Sequence, residues 1–259
     1  MTVIPMRRSG YYPWPPPPGV SEAQYPSVSM IVGLLDKSGA LAGSAAKITA
    51  EYAYDEMDSW EGLPRDDAIK RIKSEYRRQW SAKAEIGSAA HHQIATWLAT
   101  LDDGPPTIEL DESLPLLSAA MAFVGDRVEK VGASEVTIWN HTYQYAGTAD
   151  ALVRLNTGEI AIVDWKTGRI YPETILQLTA YAHGETLLHD GVTKQMDQPI
   201  TKLIAVHLNA DGSYETQEAD LPCGGKCAPH KHCAHFKAFT GLRSMRKWLD
   251  TAQQTAWTT

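Results

Sequence analysis

Gly147-Thr-Ala-Asp150, Ile162-Val-Asp164-Trp-Lys166-Thr-Gly168 and Gln177-Leu-Thr-Ala-Tyr181 follow one another in a stretch whose apolar period decides the fold. From Glu135 the period is two. Val136 to Trp139, Thr142 to Leu155 and Glu159 to Lys166 read as successive antiparallel strands. Asn156-Thr-Gly158 has hairpin-turn chemistry. If it forms a three-residue loop, Leu155 faces Glu159, and counting back along the ladder sets Asp150 opposite Asp164. Ile160, Ile162, Asp164 and Lys166 then share one strand face, because successive side chains alternate. The spacing therefore predicts that Asp150, Asp164 and Lys166 converge on one patch of sheet.

Outward from that patch, Glu173 to about His189 reads as a helix with Gln177 and Tyr181 one turn apart. Ile200–Leu208 and Ser213–Ala219 read as strands joined by the turn Asn209-Ala-Asp-Gly212. His235 to about Thr255 is helical and carries Lys237, Arg243, Arg246 and Lys247. Upstream, Val28 to Leu35 is a short apolar helix face, and Leu41–Met57 is alanine-rich. Asp66–Trp80 is a third helix, and a fourth opens at Glu85-Ile-Gly87-Ser-Ala-Ala-His91 and runs to about Leu101. Asp102–Pro106 is a loop, and Ser113–Val131 an amphipathic helix. Arg65, Lys70, Arg71, Lys73, Arg77, Arg78 and Lys83 are the strongest basic concentration. They suit a phosphate-tracking surface or a solvated helix face equally, since Asp66, Asp67 and Glu75 are interleaved. Pro13-Trp-Pro-Pro-Pro-Pro18-Gly19 predicts polyproline II within an extended arm over 1–27, either lying along the domain surface with Tyr11, Tyr12 and Trp14 packed on it or serving as a partner-docking ligand.

The class is α+β, or mixed α/β: a central, mostly antiparallel sheet flanked by helices. Past the arm, 28–259 reads as one domain, with a helical part at 28–131, a catalytic sheet and helix at 132–220, and a cysteine/histidine cluster with a terminal helix at 221–259. With 43% hydrophobic and 21% charged residues the 259-residue chain has ordinary globular composition. A net charge of -7 argues against coating nucleic acid by bulk charge, although clustered basic residues still act locally. No signal peptide is visible at the start, and the apolar run Leu114–Val124 is too short to span a bilayer. With only three cysteines, close together, a reduced cytoplasmic protein without a membrane partner is expected.

Two carboxylates and a lysine on one patch admit several chemistries. A surface ion-pair ladder needs no function at all. Glycoside hydrolysis wants its two acids farther apart than neighbours on paired strands. A divalent ion between the carboxylates, with a lysine to orient water and offset developing charge, would use all three in phosphodiester hydrolysis.

The three motifs, together with Gly87-x-x-x-His91 ahead of them, resemble those of the PD-(D/E)XK nuclease superfamily. More narrowly they resemble the RecB-type nucleases, including phage and CRISPR-associated exonucleases. The resemblance implies a restriction-endonuclease-like core and a metal-dependent DNA exonuclease of phage or bacterial recombination, repair or replication. It implies Mg2+ or Mn2+ held by His91, Asp150, Asp164 and the main-chain carbonyl of Trp165. Lys166 would be the catalytic lysine, and Gln177 and Tyr181 would hold the DNA backbone or brace the site. Glu135 matches a glutamate often found one strand ahead of Gly-Thr-Ala-Asp, with its role open. DNA ends or single strands would be the substrate, with a helicase or recombination protein as a separate partner, because the chain has no Gly-x-x-x-x-Gly-Lys-Ser/Thr loop. A non-catalytic DNA-end-binding module and a structure-specific endonuclease are the alternatives.

Cys223-Gly-Gly-Lys-Cys227-Ala-Pro-His230-Lys-His232-Cys233-Ala-His235 is dense in soft ligands. Some RecB-type relatives carry an iron–sulfur cluster on one upstream and three C-terminal cysteines. Here the upstream cysteine is missing, which excludes a four-cysteine cluster within the chain. A zinc site of Cys223, Cys227 and Cys233 with His230, His232 or His235 remains, as do a three-cysteine iron–sulfur centre and a loop that binds nothing.

Overall fold

The computed structural model describes residues 10–14, 23–35, 38–101, 114–189, 191–227 and 233–255. In chain order the elements are β1 (Tyr11–Trp14), β2 (Ala23–Pro26), α1 (Val28–Val32), α2 (Ser38–Asp55), a 3-10 turn (Met57–Ser59), α3 (Arg65–Leu98) and α4 (Pro115–Arg127). Then follow β3 (Val128–Asn140), β4 (Tyr145–Leu155), β5 (Ile160–Lys166), α5 (Thr174–Ala182), β6 (Thr186–His189), β7 (Val192–Gln195), β8 (Lys202–Leu208), β9 (Tyr214–Asp220) and α6 (Ala234–Thr255).

β3 to β9 make one seven-stranded sheet in the order β7-β6-β3-β4-β5-β8-β9. Every pairing is antiparallel except β5 with β8. The α+β class and the mostly antiparallel sheet are as expected. The alternation of β5 sorts its side chains onto two cores. Ile162 joins Leu203 and Ala205 under α1, α5 and α6. Ala161, Val163 and Trp165 join Ile204 and Val206 under α4 and Ile94, Trp97 and Leu98 of α3. Trp165 packs edge-on against Phe123 at 5.6 Å. Its full burial contributes roughly 3 kcal/mol to pinning the strand that carries Asp164.

Two compact units are present, residues 1–34 with 90–259 and residues 35–89. Within the smaller unit, Arg71 donates to the Tyr52 hydroxyl (3.0 Å), which also contacts Ser59 (2.9 Å). Buried Glu75 takes a bidentate pair of bonds from Arg78 (2.7 and 2.8 Å) and one from Gln79.

Several boundaries differ from the sequence reading. Asp66–Trp80 and the helix expected to open at Glu85 are one helix, α3. A mid-helix glycine costs only about 1 kcal/mol, and Gly87 stands among alanines with no proline to break the run. The helix expected to reach Val131 ends at Arg127, and Val128 already belongs to β3. Register shifts at Val128/Lys130 and Val131/Ala133 scramble the alternation that would have revealed the strand. The helix expected to reach His189 stops at Ala182, and β6 and β7 follow. Gly184 lets the chain turn there, since a Cβ would lie 2.2 Å from Ile138 Cγ2.

Pro13 and Trp14, where the expected polyproline run begins, belong instead to a strand, Tyr11–Trp14, paired with Ala23–Pro26. The aromatic burial of Tyr12 and Tyr25 against Trp139 and Leu188 favours that hairpin. The remainder of the proline run, Pro15–Gly19, and the loop Asp102–Pro106 lie outside the described residues. Among those described, no helix is long and apolar enough to cross a membrane.

Candidate active site

The register brings three carboxylates onto one rung of three neighbouring strands. The pairs Ser134–Ala151 and Val136–Ala149 bracket Glu135, so the rung between them sets Glu135 of β3 beside Asp150 of β4. On the other side of β4 the ladder closes with Ala151–Val163, and the next rung sets Asp150 beside Asp164 of β5. The hairpin is tied as counted, with the Leu155 N–H donating to the Glu159 carbonyl at 2.9 Å.

Neither pair belongs to the regular ladder, which skips Glu135 on one side of β4 and ends at Ala151–Val163 on the other. Glu135 has φ 47°, a left-handed conformation that costs a glutamate on the order of 1–3 kcal/mol. The kink turns its carboxylate toward Asp150 and toward His91, and the ligand atoms of these three residues lie within 4.8 Å of one another. His91 enters from α3, its Nδ1 3.5 Å from Asp150 Oδ2, a charge contact at the edge of hydrogen-bond reach. The same Asp150 Oδ2 accepts the Trp165 N–H at 2.8 Å. Trp165 thus meets the site through its main-chain nitrogen, while its side chain sits in the core beneath.

Asp164 is buried and stands outside that trio. Its Oδ2 has no hydrogen-bond partner among the described residues, but Lys166 Nζ lies 2.5 Å from it as an ion pair. Its Oδ1 accepts from Gln177 Nε2 at 3.3 Å, and Gln177 also donates to the Tyr181 hydroxyl at 3.2 Å. Tyr181 is 3% exposed, so of the two roles expected for this pair the geometry carries the brace. Gly147 belongs to the same construction, since a Cβ there would stand 2.6 Å from Tyr181 Cε1.

Crowded acids hold protons. Burial, then the charge of Asp150, pushes Glu135 up to about 7, with His91 opposing. Burial, then Asp150, pushes Asp164 up to about 6 against the pull of Lys166. Burial pulls the His91 imidazole down, but Asp150, Asp164 and Glu135 together hold it above its ordinary value. A divalent cation replaces those protons at lower cost, and carboxylates with one imidazole suit a hard or borderline ion.

The cysteines form a second group at the C-terminal end of α5. Cys223, Cys227 and Cys233 meet His183, the C-cap of α5, with all four ligand atoms within 4.8 Å of one another. This group could hold a metal such as zinc. Of the expected histidines, His235 is exposed on α6 and outside the group, and His230 and His232 lie outside the described residues. Nothing in the local pattern marks His183, which reaches the thiols only because β6 leaves the end of α5. Burial, with the Cys227 thiol beside it, pushes Cys223 up to about 12, so this thiol gives up its proton to a cation more readily than to water.

The basic run on α3 is partly spent within its own unit: Arg78 serves Glu75 and Arg71 serves Tyr52, while Lys70, Lys73 and Arg77 are exposed. No protein-family model matches the chain, and no curated protein matches it.

Proposed function

We propose that the chain is a divalent-metal-dependent DNA nuclease of the RecB-type PD-(D/E)XK kind, acting as an exonuclease on DNA ends or single strands. The observation that carries the reading is the single rung Glu135–Asp150–Asp164, with His91 above it and Lys166 two residues beyond the last acid. A surface ion-pair ladder would not bury an acid to 2% exposure beside two others and kink a strand to add the third.

His91, Glu135, Asp150 and Asp164 would hold Mg2+ or Mn2+, with the Trp165 carbonyl completing the set. When bound, that ion supplies Lewis acidity to a phosphate oxygen. Lys166 holds the attacking water in line with the scissile bond and offsets charge gathering on the phosphoryl group. Gln177 fixes Asp164, and Tyr181 fixes Gln177. The products are a 5′-phosphate and a 3′-hydroxyl. Partners of the chain are DNA and, for processive work on duplex, a separate helicase or recombination protein. A second ion, of the softer kind that thiolates select, belongs to the cysteine group.

The test is digestion of 5′- and 3′-end-labelled single- and double-stranded DNA with Mg2+, Mn2+ or EDTA. Metal-dependent release of short products, abolished in Asp164→Asn and Lys166→Ala, is expected. Full activity in either variant removes the assignment, and a mobility shift without cleavage would favour a binding module.

A further inference from the structure

The cysteine group has the dimensions of a site for one ion. His183 Nε2 lies 3.2 Å from Cys227 Sγ and 3.6 Å from Cys223 Sγ. Zinc binds thiolate at about 2.3 Å and imidazole at about 2.0–2.1 Å, so a tetrahedron sets neighbouring ligand atoms about 3.6–3.8 Å apart. An iron–sulfur cluster hangs its ligands on separate irons and needs a wider set.

The histidine is prepared for the role. Its Nδ1 lies 2.8 Å from the Thr179 carbonyl, which fixes the proton on Nδ1 and turns the Nε2 lone pair toward the sulfurs. Phe236 stacks on the ring at 3.8 Å between centroids, 8° from parallel, and Asn140 Nδ2 donates to the His183 carbonyl at 2.6 Å. The cysteines are prepared as well. Gly224 and Gly225, at φ 59° and 73°, make the tight turn between Cys223 and Cys227. A Cβ on Gly225 would lie 2.0 Å from the Ala182 carbonyl, so the turn is pressed against the end of α5. The Cys233 N–H donates to Cys227 Sγ at 3.3 Å.

We propose that His183, Cys223, Cys227 and Cys233 form a closed structural zinc site, one ion per chain, that clamps the C-terminal end of α5 to the Cys223–Cys227 turn and to Cys233. α5 also carries Gln177 and Tyr181, so under the nuclease reading the clamp sets the brace on Asp164. The zinc site itself stands or falls independently of that reading.

The experiment is metal analysis of the purified full chain with its visible spectrum. One zinc per chain is expected, with no visible absorption, and a mercurial that titrates thiols should release the zinc to a metallochromic dye. Cys227→Ser and His183→Phe, which keeps a ring against Phe236, should lose at least nine-tenths of the zinc, and His183→Cys should retain it. Amide exchange across Thr174–Ala182 should quicken at least tenfold when zinc is removed from the unaltered chain. Iron with sulfide and a brown chromophore, no metal at all, or zinc undiminished in His183→Phe overturns the proposal. The mercurial release uses the native chain, so a variant that fails to fold does not decide the matter.

Discussion

Lys166 and a divalent cation compete for the same oxygen of Asp164, because the ammonium already stands 2.5 Å from Oδ2. A lysine that held the site's structure would weaken the metal site when removed; one that acts on water would not. Lys166→Met is therefore expected to slow cleavage by about 10²–10⁴-fold, the range for losing a positioned proton-transfer group, while Mn2+ affinity is kept or tightened. Titration calorimetry beside single-turnover cleavage separates the two, and a Mn2+ affinity that falls with the rate would return Lys166 to a structural part. At this scale Asp150, Asp164 and Lys166 were legible because a three-residue turn and a period of two fix a register by counting. Glu135 obeys the same count, but its left-handed backbone has no signature in a glutamate, so only the β3–β4 pairing shows that it joins His91 and Asp150.

The element that assembles the site is α5 laid across β4 and β5. Gly147 is the point of closest approach, with the Tyr181 ring where a Cβ would go. Gly147→Ala is expected to cost about 1–3 kcal/mol by overpacking, and to loosen the Tyr181–Gln177–Asp164 chain with it. Thermal unfolding of Gly147→Ala, Tyr181→Leu and the double variant checks this. The double variant should be less destabilised than the sum, because the smaller side chain removes the clash. Strict additivity would show that Gly147 is needed for some other reason. β4, β5, β8, β9 and α6 were legible in the sequence because alternation, a short apolar run between turn residues, or a helical face marks each. β6 and β7, four residues each, were not: Thr186-Leu-Leu-His189 continues the apolar face of α5 in one dimension. The pairing of β6 with β3 is a long-range fact. His183 is hidden for the same reason, because a helix running on to His189 would hold its ring mid-helix, whereas it caps α5.

For the molecule as a whole, the acids of the site tie folding to pH and to metal. Glu135 is raised from 4.5 to about 7 and Asp164 from 3.8 to about 6. The native chain therefore binds these protons more tightly than the unfolded chain does. Between about pH 4 and 7 the unfolded state has released protons that the native state keeps, so stability without metal is greatest at the acid end of that window. It declines as pH rises through 6 and 7. His91, held above its ordinary value, adds to the same trend. An ion that takes the place of the protons reverses the penalty only where the protons are ready to leave. At a free concentration 100 times its dissociation constant, such a ligand stabilises by about 2.7 kcal/mol, which for a chain of this size is a rise of roughly 5–10 °C. The rise caused by Mn2+ should thus be small at pH 5.5, grow through pH 6.5, and level off above pH 7.5. Calorimetric unfolding at fixed free Mn2+ across those pH values measures it. In Glu135→Gln the growth should begin at lower pH and reach a smaller final rise, because one late-ionising ligand is gone. A rise that is the same at every pH would remove Glu135 and Asp164 from the ligands of the ion.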